Sequence, residues 1–146
     1  MYKAKDIAKW FLNKNRIQMN FEDSEYITNL KLQKLLYYAQ GFYLAKKDTP
    51  LFNDDFLAWE HGPVIRKIYD EYKKNGSNGI KFEEDFNVEI DKETERVLEE
   101  VYEKYGQYAA WKLRNMTHEE TPWKTTPRNE IITKQKIKDF FKTKVA

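Results

Sequence analysis

Apolar residues recur at helical spacing through most of this chain. Ile7, Trp10 and Phe11, with the stem of Lys14 beside them, share one face from Ala4 to about Ile17, which predicts a first helix. The densest pattern follows: Leu32, Leu35, Leu36, Ala39, Phe42 and Tyr43 recur at i, i+3, i+4 and i+7, with Thr28 or Asn29 placed to cap the start. Its remaining faces carry Leu30, Tyr37, Tyr38 and Leu44, and a helix that is apolar all round belongs in the middle of a fold. Lys46 and Lys47 suit its C-terminal dipole, and Asp48-Thr49-Pro50 stops it.

Between Leu51 and His61 the period changes. Leu57, Trp59 and His61 alternate with Phe56, Ala58 and Glu60 after an Asn53-Asp54-Asp55 turn, predicting a short strand. Gly62 breaks it, and Pro63 is expected to open a helix carrying Val64, Ile65, Ile68, Tyr69 and Tyr72, ended by Gly76 and Ser77-Asn78-Gly79. Over 80–90, Phe86, Val88 and Ile90 alternate with polar residues as a half-buried strand would. Asp91 then caps a helix striped by Val97, Leu98, Val101, Tyr102 and Tyr105 and closed by Gly106. A further helix is expected from about 107 to 115 with Tyr108, Trp111 and Leu113. Thr117 and Glu120 have capping-box spacing, but Pro122 holds any helix there to about one turn. Ile131-Ile132 is a brief apolar pair, and Thr133 can cap a last helix bearing Ile137, Phe140 and Phe141. The expectation is a mainly α (α+β) fold. It is a single compact domain over 1–146, with about six helices around a central buried helix at 29–47 and a small β element from 51–61 and 80–90.

Composition narrows the function classes. The chain has 146 residues, 16% of them aromatic, so its core is built of large rings and the chain is not a disordered one. It has no cysteine, which removes disulfides, thiolate nucleophiles and thiolate metal sites. No apolar run is long enough to span a bilayer and the N-terminus has no apolar signal core, so the expected setting is cytoplasmic, with no membrane partner.

Twenty-six basic residues against 24 acidic ones leave a net charge of only +2. That total hides segregation: residues 83–103 sum to −8, the preceding stretch to +4 and the following one to +6. Glu95, Glu99, Glu100 and Glu103 read either as the solvated back of an amphipathic helix or as an acidic surface for a basic protein partner. The C-terminal Lys134, Lys136, Lys138, Lys142 and Lys144 interleave with apolar residues, and no arginine follows Arg128. That is the pattern of a helix with outward lysines, so nucleic acid is not the expected partner.

Candidate chemistry is sparse. Serine occurs only at 24 and 77, the five glycines fall in no phosphate-cradle spacing, and no cofactor-binding pattern is present. The two histidines, His61 and His118, each sit beside carboxylates (Glu60; Glu119 and Glu120). Brought together, they could make a three-ligand metal site with an open position, hence a metal-dependent hydrolase. Without a metal-binding spacing, the plainer reading is two structural histidines next to bulky rings, and the chain does not read as an enzyme.

Three ordered stretches carry a resemblance. They are Lys31-Leu32-Gln33-Lys34-Leu35-Leu36-Tyr37-Tyr38-Ala39-Gln40-Gly41, then Phe56 to Tyr69 around Trp59-Glu60-His61-Gly62-Pro63-Val64, then Thr117-His118-Glu119-Glu120-Thr121-Pro122-Trp123. Together, over about residues 5–142, they resemble the Panacea antitoxin domain, also called SocA-like and formerly a phage-associated domain of unknown function. The second and third, some fifty residues apart, are the specific part. The resemblance implies a bacterial or prophage antitoxin that neutralises a toxin encoded by an adjacent gene through protein–protein contact. It carries no catalytic residue set, and it makes Trp59, His61, Gly62, Pro63, His118, Glu119, Pro122 and Trp123 candidates for partner binding or for architecture. The chain is expected to be nearly all domain, with no separate DNA-binding module. An alternative within the same class is an adaptor that delivers a partner to a protease.

Overall fold

A computed structural model describes residues 1–19 and 25–145. Among the described residues, seven α-helices and three short strands follow one another as α1 (Ala4–Met19), α2 (Asn29–Lys47), β1 (Phe56–Trp59), β2 (Gly62–Val64), α3 (Arg66–Tyr72), α4 (Lys92–Tyr105), α5 (Ala110–Glu119), α6 (Thr121–Lys124), β3 (Ile131–Ile132) and α7 (Lys134–Val145). The fold is mainly α with a small antiparallel sheet, as the periodicity predicts.

Helix α2 is the axis. Thr28 caps it by accepting the Lys31 N–H at 3.2 Å, and Asp48 ends it in the left-handed conformation at φ 63°. Almost every side chain between its ends is buried, including Leu32, Leu35, Leu36, Tyr37, Tyr38, Ala39 and Phe42. Helices α1, α4, α5 and α7 pack around it. Tyr38 stacks on Tyr105 of α4 with ring centres 3.9 Å apart, and Phe141 of α7 meets Tyr37 edge-on at 5.4 Å. The closest approach is at Gly41, where a Cβ would come within 2.2 Å of the Phe141 ring, so only glycine lets α7 lie this near α2.

Polar residues on this enclosed helix bond to the chain around it. Gln40 accepts the Leu51 N–H and donates to the Phe52 carbonyl, both at 2.8 Å, fixing the segment before β1. Gln33 accepts the Ile65 N–H at 2.9 Å and donates to Asn29. Each makes good the desolvation of its own amide by satisfying backbone groups that no helix or strand serves.

The β element differs from expectation in three ways. Pro63 does not start a helix: β1 and β2 form a hairpin with Trp59 opposite Gly62 and Glu60-His61 at its tip, and α3 begins only at Arg66. Strand order β2-β1-β3 leaves β2 at an edge, where proline's missing N–H does least harm. Residues 80–90 form no strand. Phe82 is buried and Phe86, Val88 and Ile90 half-buried, so the alternation reports extended chain lying on the core without a pairing partner. The third strand is the Ile131-Ile132 pair, with Ile132 opposite Phe56.

Two helix ends also move. The helix expected over 107–115 runs Ala110–Glu119, and Thr117 and Glu120 form no capping box: Thr117 lies inside α5, its hydroxyl donating to the Arg114 carbonyl at 2.8 Å. Pro122 does confine α6 to a single turn. Asp91 caps α4 by accepting the Thr94 N–H at 2.9 Å, and Thr133 accepts the Lys136 N–H at 3.1 Å at the start of α7.

Candidate functional site at the hairpin end

The three motif stretches converge where the β1–β2 hairpin crosses α2 and α5. Lys34, entirely buried, donates from Nζ to the Pro63 carbonyl at 3.0 Å. Directly above it is Gly62, at φ 106°; a Cβ there would come within 2.7 Å of Lys34 Cε and 2.8 Å of the Thr117 hydroxyl. Glycine is therefore required twice, by backbone angle and by space. Burial first, then the Arg114 guanidinium, lowers the Lys34 ammonium to about 7.

The third stretch closes the joint. Trp123 Nε1 donates to the Trp59 carbonyl at 2.7 Å. His118 stacks on the Trp123 ring at 3.8 Å and 7° between planes, and the Arg128 guanidinium lies 3.7 Å from the same ring. Two flat groups that close cannot share a face, so the indole is held between imidazole and guanidinium. Burial and then Arg114 hold His118 below the ordinary imidazole range, with a contact to the Glu60 backbone acting the other way. Glu120 turns inward to accept the Tyr38 hydroxyl at 2.9 Å, and burial raises its carboxyl to about 7. Pro122 is buried, while Glu119 points to solvent.

His61 and His118 do not build a metal site with a carboxylate. Among the described residues no group of three His, Cys, Asp or Glu side chains is placed to hold a metal ion. His61 at the hairpin tip instead accepts the Arg114 Nε–H on Nδ1 at 3.3 Å. Its ring lies 5.3 Å from Trp111, over which Arg114 also stacks at 4.4 Å.

Trp111 is 54% exposed, more than any other Phe, Tyr or Trp among the described residues. Beside it, sharing His61, runs a groove of about 490 Å³ bordered by Leu30, Trp59, Val64 and Tyr69. The sequence reading missed Lys34, Trp111 and Arg114 as site residues. For Lys34 there was a signal, since a helix apolar on every side leaves no solvent face for a lysine at its centre. For Trp111 there was none, because its exposure is decided by where α5 lands.

Both charged surfaces singled out from sequence are engaged within the chain. Glu99 pairs with Lys14 at 2.8 Å, Glu100 with Lys46 at 2.5 Å, and Glu95 accepts the Trp10 indole N–H at 3.1 Å, tying α4 to α1 and α2. Glu103 faces solvent. Of the C-terminal lysines, Lys138 and Lys142 pair with Asp48, Lys134 with Asp55, and Lys136 donates to the Thr125 carbonyl. Lys144 lies over the Phe140 ring. No helix among the described residues is long and apolar enough to cross a membrane.

Comparison with known proteins finds the same segment. Residues 32–124, which hold all but the first residue of the three motif stretches, match the family model described as antitoxin SocA-like, Panacea domain. Antitoxin SocA of Caulobacter vibrioides (strain NA1000 / CB15N) is 48% identical over 54 residues, covering 37% of this chain and 29% of that protein. The chain thus aligns with less than a third of the length of that relative. No solved structure matches the chain. With well over half of its residues matched to the family model, including the joint of Lys34, Gly62 and Trp123, the chain belongs to the SocA-like antitoxin family defined by the Panacea domain.

Proposed function

We propose that this protein is an antitoxin that neutralises the toxin encoded by an adjacent gene through direct protein–protein binding. The observation that carries the reading is Trp111, a large ring left in solvent on a helix and braced by Arg114 and His61. Tryptophan and arginine are the side chains that most often dominate binding energy in protein interfaces. Holding them in place before contact lowers the entropy cost of association. Family membership supports the toxin as partner, and occlusion of the toxin's working surface is the mechanism such a rigid face suits. The setting is the cytoplasm, where both gene products are made. The residues at the hairpin joint serve to hold this face, and no catalytic role is assigned to them.

Co-expression tests the reading. The neighbouring open reading frame should arrest growth alone and lose that effect beside this protein. A neighbour that is harmless alone, or toxic despite this protein, overturns it. Toxin abundance in the rescued cells separates occlusion, which leaves it unchanged, from delivery to a protease, which depletes it.

A further inference from the structure

We infer that the face made by Trp111, Arg114 and His61, together with the groove beside it, recognises an acidic segment of a protein partner that carries an apolar anchor side chain. The inference rests on the antitoxin reading for the identity of that partner and adds where and by what chemistry it is recognised.

Charge is the first argument. Several lysines that pack between elements of this fold meet a carboxylate: Lys9 meets Glu84, Lys14 meets Glu99, Lys46 meets Glu100, and Lys138 and Lys142 meet Asp48. Among the described residues Arg114 donates only to neutral acceptors, His61 Nδ1 and the Asn115 side-chain oxygen at 2.9 Å. A guanidinium has five N–H donors, so part of its fork is left for an incoming group. Arg128, on the far side of the joint, likewise bonds only to backbone carbonyls. Lys34 and His118 lie beneath, and Arg114 disfavours the charged form of both. An arriving carboxylate would find a cationic site to which no acidic side chain among the described residues supplies a counter-charge at bonding distance, and Arg pairs with carboxylates bidentately. Glu60, exposed on the wall of the groove, would oppose a uniformly acidic surface and favour one well-placed carboxylate.

Shape is the second. His61 belongs both to the Trp111 patch and to the groove, so the two form one continuous surface. The groove walls of Leu30, Trp59, Val64 and Tyr69 offer an apolar seat, with Trp59 and Tyr69 rings 5.1 Å apart at 70°. A segment with its anchor in the groove and its carboxylate on Arg114 would cross the His61 ring between them. A polyanion would use the cations but leave the groove empty, which is why a protein segment fits better than a nucleic acid.

The test uses the full chain and the purified product of the adjacent gene. Trp111→Ala and Arg114→Ala are expected to weaken binding roughly tenfold or more, Arg114→Glu to abolish it, and Arg114→Lys not to restore it. Far-ultraviolet circular dichroism should be unchanged, because both side chains are at the surface, and Glu103→Gln on α4 should bind as the parent does. Parent-like binding by Trp111→Ala and Arg114→Ala overturns the inference while leaving the antitoxin reading intact. If the parent protein does not bind that product, the antitoxin reading fails, and selection from displayed random short peptides decides the surface separately. Enrichment of sequences joining Asp or Glu to an apolar residue, lost with Arg114→Ala, supports it. No enrichment, or enrichment of basic sequences, overturns it. So does Trp111-dependent binding of a single-stranded oligothymidylate, or Trp111-dependent self-association in sedimentation.

Discussion

Lys34→Met isolates the most unusual group in the core. The ammonium is fully enclosed, with the Pro63 carbonyl as its hydrogen-bond acceptor, and it titrates near 7 in the folded chain against 10.5 when exposed. A lysine whose folded pKa is depressed penalises folding fully below the folded value, and the penalty is relieved as pH rises towards the unfolded one. Between about 7 and 10.5 the unfolded chain holds a proton that the folded chain has released, so stability rises with pH across that window. Linkage over pH 6.5 to 9.5 gives a change of about 3 kcal/mol from this one group. Methionine has a similar reach and no charge. It leaves the Pro63 carbonyl without its donor, a loss of about 1–3 kcal/mol that does not vary with pH. Groups away from Lys34 cancel in the difference, and His118, whose charged form Lys34 also disfavours, shifts it in the same direction.

Urea unfolding of both proteins at pH 6.5, 8 and 9.5 reads that difference directly. The variant should be less stable at pH 9.5 and gain about 3 kcal/mol relative to the parent by pH 6.5, a relative midpoint shift of roughly 1–2 M for a domain of this size. A gap that stays constant with pH would refute the reasoning, because it would mean the ammonium is as well served inside as in water.

Four further substitutions probe other joints. Glu120→Gln tests the opposite titration: with the folded carboxyl raised to about 7 by burial, stability falls as pH rises from about 4.5 to 7, and the variant should gain about 2–3 kcal/mol relative to the parent between pH 5 and 8. Gly41→Ala should lower stability by about 1–3 kcal/mol in spite of alanine's better helix propensity, because the new methyl overlaps the Phe141 ring. Phe141→Leu in the same chain should make the two losses less than additive, as a double-mutant cycle would show. Asp91→Ala removes the α4 cap and the acceptor of the Tyr2 hydroxyl, and thermal unfolding should report a loss of about 1 kcal/mol.

Local signals carried the helices. Thr28, Asp91 and Thr133 cap helices by bonds to residues three positions on, which involve no distant part of the chain. The central place of 29–47 followed from apolar residues on every side, because only an enclosed position suits them. Residues 80–90 have period two yet form no strand, because that period shows only that extended chain has a buried side, while a strand also needs a neighbour. For Ile80 that neighbour is limited to one bond to the Ile27 carbonyl, at 2.7 Å. Thr117 and Glu120 copied a capping box in spacing but serve tertiary joints, one under Gly62 and the other on Tyr38. The candidate site divided in the same way. The motif residues around Gly62 and Trp123 were found, but whether they touch a partner or hold the fold depends on which side of the hairpin they face.

The division between joint and surface explains why so many polar side chains sit on the most buried helix. A core of rings packs without direction, and Tyr37, Tyr38, Phe42 and Phe141 would fill the same volume with the hairpin tilted several ways. Gln33, Lys34 and Gln40 remove that freedom because each is satisfied only when a particular backbone group lies at bonding distance, and the Trp123 bond to Trp59 adds the constraint from the other side. The cost is a buried amine and a buried carboxyl that both oppose folding near neutral pH. What that cost secures is the position of the hairpin tip. His61 reaches Arg114 and Trp111 because Gly62 is seated on Lys34 and Thr117, so a loosened joint should degrade the face before it unfolds the protein.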